Sequence, residues 1–351
     1  MVLRLRLVST RHEVTDERAA QDLFHEKAWT DGLPVIPPTP ERVLACLDAA
    51  VLTPDQVIGI EPVRGRPITA EKVAVNAVLA GCQPPHFLVV AAILEAMCRP
   101  EFLLHGATSS TGGCAVLIVV NGPVRLELGM EPTFNVLGNS DRASAVIGRA
   151  IRLVLNNLLD LRPGTLDRAT LGHPGKFGYC MAEDEEGSDW TPLAQLRGAP
   201  AGVSAVTVLA AGAPRQIMNE WTRVPEEILE TFAAEMRANM LHYSIWGGNY
   251  AIIVPKQLRD CLQDAGWSKP DVQQFLFERA RVRRREWTRV GKGALVTAAN
   301  GDEEHFALPS PSDLLVIAAG GPAGGFGAVI PPWFGHKSRA VTTGVGVCFA
   351  C

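Results

Sequence analysis

Three residues in one short run carry side chains suited to nucleophilic and proton-transfer chemistry: Lys176, Cys180 and Glu183, within GHPGKFGYCMAEDEE. A lysine there binds an anion or acts as a base. A cysteine is either a nucleophile or part of the core, and a glutamate moves protons. Read as a strand, KFGYCMAE places Lys176, Gly178, Cys180 and Ala182 on one face. Lys176 and Cys180 are then ~13 Å apart at ~3.3 Å per residue. At that separation the lysine does not lower the thiol pKa by contact, and the two serve a shared pocket from opposite ends. The acids Glu183, Asp184, Glu185 and Glu186 repel one another. On an extended chain only alternate members, Glu183 and Glu185, can share an ion. A solvated turn is expected ahead of a metal site. No cofactor is expected, with a divalent metal left open.

Other candidates flank this run. In GATSSTGGCAV, the hydroxyls Ser109, Ser110 and Thr111 lead into a buried strand, and exposed backbone N–H groups in such a turn cradle a carboxylate or phosphate. No Gly-Lys-Ser/Thr follows, and a strand comes next where a dinucleotide fingerprint needs a helix. Arg149 lies between Gly148 and Ala150, where another backbone can pass close and the guanidinium can clamp an acid. Asp31 sits on a proline-rich rim, TDGLPVIPPTPERV, that leads into a helix. The glycine-rich AAGGPAGGFGAVIPPWFGH reads as a mobile loop, with Phe326, Trp333 and Phe334 able to close over a substrate and His336 as its titratable group. Cys348 and Cys351 form a C-x-x-C at the end of the sequence, with the spacing of a redox dithiol.

These residues need a scaffold. Of the 351 residues, 47% are hydrophobic and 20% charged, a globular composition with material for a substantial core. A net charge of −4 gives no electrostatic reason for a nucleic-acid or membrane-surface partner. The one basic run, ERARVRRREW, reads as the solvated face of a helix. The eight cysteines lie mostly in apolar runs, the usage of reduced thiols in a cytoplasmic protein. The N-terminus lacks the apolar core and cleavage site of a signal peptide, and no apolar run approaches the ~20 residues of a membrane span.

Helical periodicity marks TDERAAQDLFHEKAW, TAEKVAVNAVLAGC, PPHFLVVAAILEAMC, RASAVIGRAIRLVLNN, PEEILETFAAEMRANMLHY and KPDVQQFLFERARV. Between them stand CAVLIVVNGPV, SAVTVLAAGAP and DLLVIAAGGPAGG, with NYAIIVPKQL a weaker fourth. Such apolar runs closed by Gly or Pro fit strands buried on both faces. They predict an α/β fold of several layers, with mixed or mostly parallel sheets covered by helices and weak internal strand-turn repeats. A boundary near residue 200, in LRGAPAGVS, divides it into regions 1–200 and 201–351.

TDGLPVIPPTPERV, KVAVNAVLAGCQPPHF, VVNGPV, IGRAIRLVLNN and GHPGKFGYCMAEDEE, in order over residues 29–198, together with DAGWSKPDVQQFLFERAR, resemble successive blocks of the UGSC family. That family is named for a selenocysteine-Gly-Ser-Cys motif in some members or companion proteins, and members are often called thiol-redox-like on that motif. In the resemblance, Asp31, Gly32, Lys176, Cys180 and Glu183 match the recurring pattern, and Ser109-Ser110-Thr111 stands at a Thr-rich turn. This chain has no UGSC or CGSC string; Cys348-Phe349-Ala350-Cys351 keeps only the spacing. The resemblance thus points to chemistry in the shared blocks or on a partner chain.

The expectation that follows is an enzyme acting on a small polar or anionic molecule by hydrolysis or elimination, in a pocket at strand ends. Ser109, Ser110, Thr111 and Arg149 bind the anion, Lys176 and Glu183 do acid/base work, and Cys180 is nucleophile or wall. The alternatives are a thiol oxidoreductase using Cys348 and Cys351, or a non-catalytic subunit shaping a partner's site. The chain is expected to self-associate or join a partner subunit.

Overall fold

The computed structural model describes residues 6–138, 140–243, 245–333 and 337–346. The N-terminal third is helical: α1 (Glu17–Glu26), α2 (Pro40–Ala49), a small hairpin of β1 (Val57–Ile60) and β2 (Pro67–Thr69), then α3 (Ala70–Ala80) and α4 (Pro84–Cys98). Their ends follow from sequence. Asp16 caps α1 by accepting from the Ala19 N–H. Gly81 closes α3 at φ +96°, a left-handed conformation open to glycine. Prolines begin α4 where no N–H is needed. A short helix α5 (Leu104–Ser109) leads to the first long strand.

The rest is built from two sheets. β3 (Ala115–Asn121) is followed by α6 (Val124–Glu127), α7 (Arg142–Asn157), β4 (Cys180–Ala182), α8 (Leu193–Leu196) and β5 (Ala205–Ala211). Then come β6 (Arg215–Met218), α9 (Pro225–His242), β7 (Tyr250–Val254), α10 (Lys256–Asp264), α11 (Lys269–Arg279), a hairpin of β8 (Arg281–Arg283) and β9 (Glu304–Phe306), β10 (Leu314–Ala318), β11 (Phe326–Ile330) and β12 (Val341–Gly344). One sheet runs β12-β5-β3-β4 and the other β6-β11-β7-β10. In both, the third and fourth strands are parallel and the other pairs antiparallel.

The fold is therefore α/β with mixed sheets, as the apolar runs predict, and the internal repeat has a definite form. β3, β4 and β5 correspond to β7, β10 and β11, while each sheet's outer strand follows in sequence from the other half: β6 after β5, β12 after β11. The division near residue 200 falls within this exchange, since β5 and β12 complete the sheet begun by β3.

Alternation along each strand makes four layers, helix–sheet–sheet–helix. Ile118 and Val120 face α4 and α7. Leu117 and Val119 meet Ile253 and Ile317 of the second sheet. Ile252, Val254 and Val316 face Phe232, Leu258 and Leu276 of α9–α11. Each such fully buried side chain contributes about 1.5–3 kcal/mol, which is why strands this apolar need cover on both faces.

The basic run departs from its helical reading. α11 stops at Arg279, and Arg281, Arg284 and Arg285 pair with Glu304, Glu303 and Asp302 across the hairpin and its flank. No helix among the described residues is long and apolar enough to cross a membrane.

Candidate functional site

Lys176 does not stand on a strand. Pro174–Lys176 is a 3-10 turn and β4 begins only at Cys180, because His173 caps the turn: its Nδ1 accepts the Gly175 N–H at 3.2 Å. The turn aims Lys176 at Asp167, whose oxygens accept from Nζ at 2.9 and 2.7 Å. Arg152 of α7 donates to the same carboxylate at 3.1 Å. Asp167 is 3% exposed, against 17% for Lys176 and 15% for Arg152. Burial pushes the Asp167 carboxyl up, but the bonds from Lys176, the Ala169 N–H and Arg152 outweigh it and hold it below its ordinary range.

Close backbone contacts fix this cluster. A Cβ on Gly148 would lie 2.9 Å from Gly178 Cα and 3.0 Å from Tyr179 N, so only glycine lets the segment entering β4 cross α7. Arg152, one turn further along, projects from the same face. Gly113 plays the same part for the loop before the turn: its Cβ would lie 2.8 Å from Gly172 N. Thr170 N–H donates to Thr111 O beside it.

The cluster forms one wall of a pocket of about 470 Å³, counting its solvent-open mouth. Thr108, Cys114 and Tyr179 also line it, with Phe102, Val116, Ile151 and Leu155. The Cys114 thiol donates to Ala107 O at 3.0 Å, and burial pushes its pKa up to about 12 although the charge of Lys176 pulls the other way. His173 stands next to the lining. Its Nε2 lies 3.3 Å from Ala211 O, an acceptor, so with Nδ1 accepting from Gly175 the ring is the neutral Nε2–H tautomer. Burial and the charge of Lys176 keep its pKa below the ordinary histidine value, against the pull of the Ala211 carbonyl.

Of the expected site residues that the structure describes, only Lys176 reaches this pocket. Cys180 lies in the core between the first sheet and the helices, where burial raises its thiol pKa. Glu183, 1% exposed, accepts from Lys269 Nζ, Asn121 Nδ2 (2.7 Å), Leu193 N (2.6 Å) and Ala318 N (3.1 Å). With four donors on its two oxygens it is a structural junction between the sheets, not an acid/base partner of Lys176.

The expected solvated turn is also corrected. Asp184 pairs with Arg259, and Glu185 and Glu186 with Arg125. Arg125 and Arg259 are both buried, and each lies five residues beyond an equivalent strand position, Val120 and Val254. One guanidinium from each half of the repeat thus grips the acid run; Glu183, Asp184 and Glu185 are relieved by cations, while Glu186 is 55% exposed and keeps water as well.

Arg149 does clamp an acid, but the acid is Asp31: Nε and Nη2 bind its two oxygens at 2.9 and 2.8 Å, and Nη2 also reaches Pro34 O. Burial raises the Asp31 pKa, yet Arg149 and the Leu33 N–H bring it below normal. The pair fastens the proline-rich segment to α7 and takes up the Asp31 carboxylate with the Nε and Nη2 of Arg149.

Ser109 donates to His105 O at 2.6 Å, and Ser110 accepts from Trp333 Nε1 at 2.8 Å. Their neighbour Thr108, rather than Ser109, Ser110 or Thr111, faces the pocket. The glycine-rich loop is tied down: Gly320 N donates to Pro132 O, and Gly324 N and Gly325 N to Gln257 Oε1. Phe334, His336, Cys348 and Cys351 lie outside the described residues. Among the described residues no group of three or more His, Cys, Asp or Glu side chains is placed to hold a metal.

Sequence reasoning missed Cys114 in the pocket lining and Asp167 and His173 beside it, and passed over Arg152 for Arg149. One signal was present: a glycine that admits a crossing backbone marks the helix face toward the site, and Arg152 is i+4 from Gly148 whereas Arg149 is turned ~100° away. No protein-family model, curated protein or solved structure matches the chain, and the chemistry of the pocket rests on its own geometry.

Proposed function

We propose that the protein is an enzyme acting on a small anionic organic molecule at the Lys176–Asp167–Arg152 cluster, by hydrolysis or elimination assisted by proton delivery from Lys176. The observation that carries this reading is the convergence of two cations from the wall of an open pocket on one nearly buried carboxylate behind them. Asp167 positions the ammonium, Arg152 supplies the planar donor set that suits a substrate carboxylate, and Lys176 gives its proton to the departing or developing negative centre. The resemblance to the UGSC family, whose shared pattern includes Lys176, supports the same place. The six described cysteines are free thiols, which supports a reducing, cytoplasmic setting.

The test is turnover across a panel of small carboxylate esters, amides and β-substituted acids. Lys176→Met is expected to lower kcat by ~10²–10⁴, with Asp167→Asn falling less. Thermal melts establish that both variants fold. Full turnover by a folded Lys176→Met variant overturns the reading.

A further inference from the structure

The lining of the pocket divides by chemistry. At one end Lys176 and Arg152 face Asp167, so two cations meet one carboxylate and one positive charge stays unmatched. The neighbouring titratable groups do not alter that count. His173 is held as a neutral ring by Gly175 and Ala211, and Cys114 is a thiol donating to Ala107. A guanidinium has five N–H groups. Arg152 directs one to Asp167, and among the described residues no hydrogen bond claims the others.

The remainder of the lining is hydrocarbon: Phe102, Val116, Ile151 and Leu155. The two hydroxyls there are already engaged, Thr108 with Leu104 O at 2.7 Å and Tyr179 with Gly212 O at 3.4 Å. A ligand acceptor at that end would lose water and find no free hydroxyl donor.

We infer that the pocket takes a monocarboxylate with a short apolar tail, its head on Arg152 and Lys176 and its tail against Val116, Ile151 and Leu155. This names the substrate class of the proposed site and rests on that reading. A dianion exceeds the single free charge, and a sugar or dicarboxylate carries polar groups into the apolar end.

The experiment is calorimetric titration of the full chain with acetate, butanoate, succinate, butanamide and inorganic phosphate. Two added methylenes, at ~0.8 kcal/mol each, make butanoate about tenfold tighter than acetate. Butanamide, succinate and phosphate are each expected to bind at least ~10-fold more weakly than butanoate, the worth of ~1.4 kcal/mol. Val116→Phe, which fills the tail end, is expected to abolish the advantage of butanoate while acetate still binds. Arg152→Gln is expected to weaken every carboxylate.

Succinate or phosphate binding tighter than butanoate, butanamide equalling it, or no binding across the panel overturns the substrate class. Lys176-dependent turnover would then still uphold the site. Carboxylate binding that is indifferent to both Arg152→Gln and Lys176→Met, in variants that melt as the parent does, overturns class and site together.

Discussion

Replacing Lys269 by methionine isolates the role of Glu183. Both side chains are 1% exposed, so the change leaves a carboxylate that water cannot reach and no cation faces. Breaking a buried pair from one side costs about 3–5 kcal/mol. Glu183 keeps its bonds from Asn121, Leu193 and Ala318, which places the expected loss near the lower end, about 3 kcal/mol. For 351 residues the unfolding entropy is ~0.7 kcal/mol/K, so the melting temperature should fall by ~4 °C. Urea unfolding with a reversibility check, alongside a calorimetric scan, measures both quantities. Adding Glu183→Gln to Lys269→Met removes the stranded charge and should recover more than half of the loss. A single-variant loss under ~1 kcal/mol, or a double variant no better than the single, would refute the assignment of Glu183 as a structural junction. The same reading expects the folded fraction of a Glu183→Gln variant to turn over as the parent does.

Acid should loosen the proline-rich segment. Folding lowers the Asp31 carboxyl below its ordinary 3.8, so its contribution is complete above that pH and is lost as pH falls through the folded value. Asp31→Asn should flatten the stability profile below about pH 4, and hydrogen exchange at Leu33 should rise in that variant at neutral pH. Gly148→Ala should cost about 1–3 kcal/mol, since the added methyl meets Gly178 and Tyr179 backbone rather than a movable side chain; a neutral result by urea unfolding would mean that the crossing is looser than it looks. Cys114 and Cys180, buried thiols with raised pKa values, should resist iodoacetamide at pH 8 in the native state and react fully in urea, as read by mass spectrometry of the peptides.

Local rules carried the reading of this chain where the structure is local. The cap at Asp16, the proline entries and the apolar runs of β3, β5, β7 and β10 are visible in sequence because each depends on a few adjacent residues. What was not legible depends on partners far along the chain. The acid run finds its cations at Arg125, Arg259 and Lys269, and no rule of spacing links them. The short turn Pro174–Lys176 displaced the strand reading because a histidine capped it. With the backbone crossings at Gly148 and Gly113, that cap turns Lys176 to Asp167 while Cys180 enters the core. The repeat is visible as a recurring grammar, but likeness of the runs does not reveal which strands correspond. CAVLIVVNGPV corresponds to the weakest run, NYAIIVPKQL, rather than to the runs it resembles most.

The reciprocal exchange of outer strands has the topology of a domain swap closed within one chain. Only Gly212, Ala213 and Pro214 separate β5 from β6, and that short link keeps the swap intramolecular. Severed after β6, in residues 219–224 ahead of α9, each fragment would carry the other's edge strand and present an open edge of its own. Produced together, the fragments have complementary edges and should reassemble one to one. Produced alone, each offers its strand to copies of itself, and a fold that closes within one chain becomes a concentration-dependent assembly.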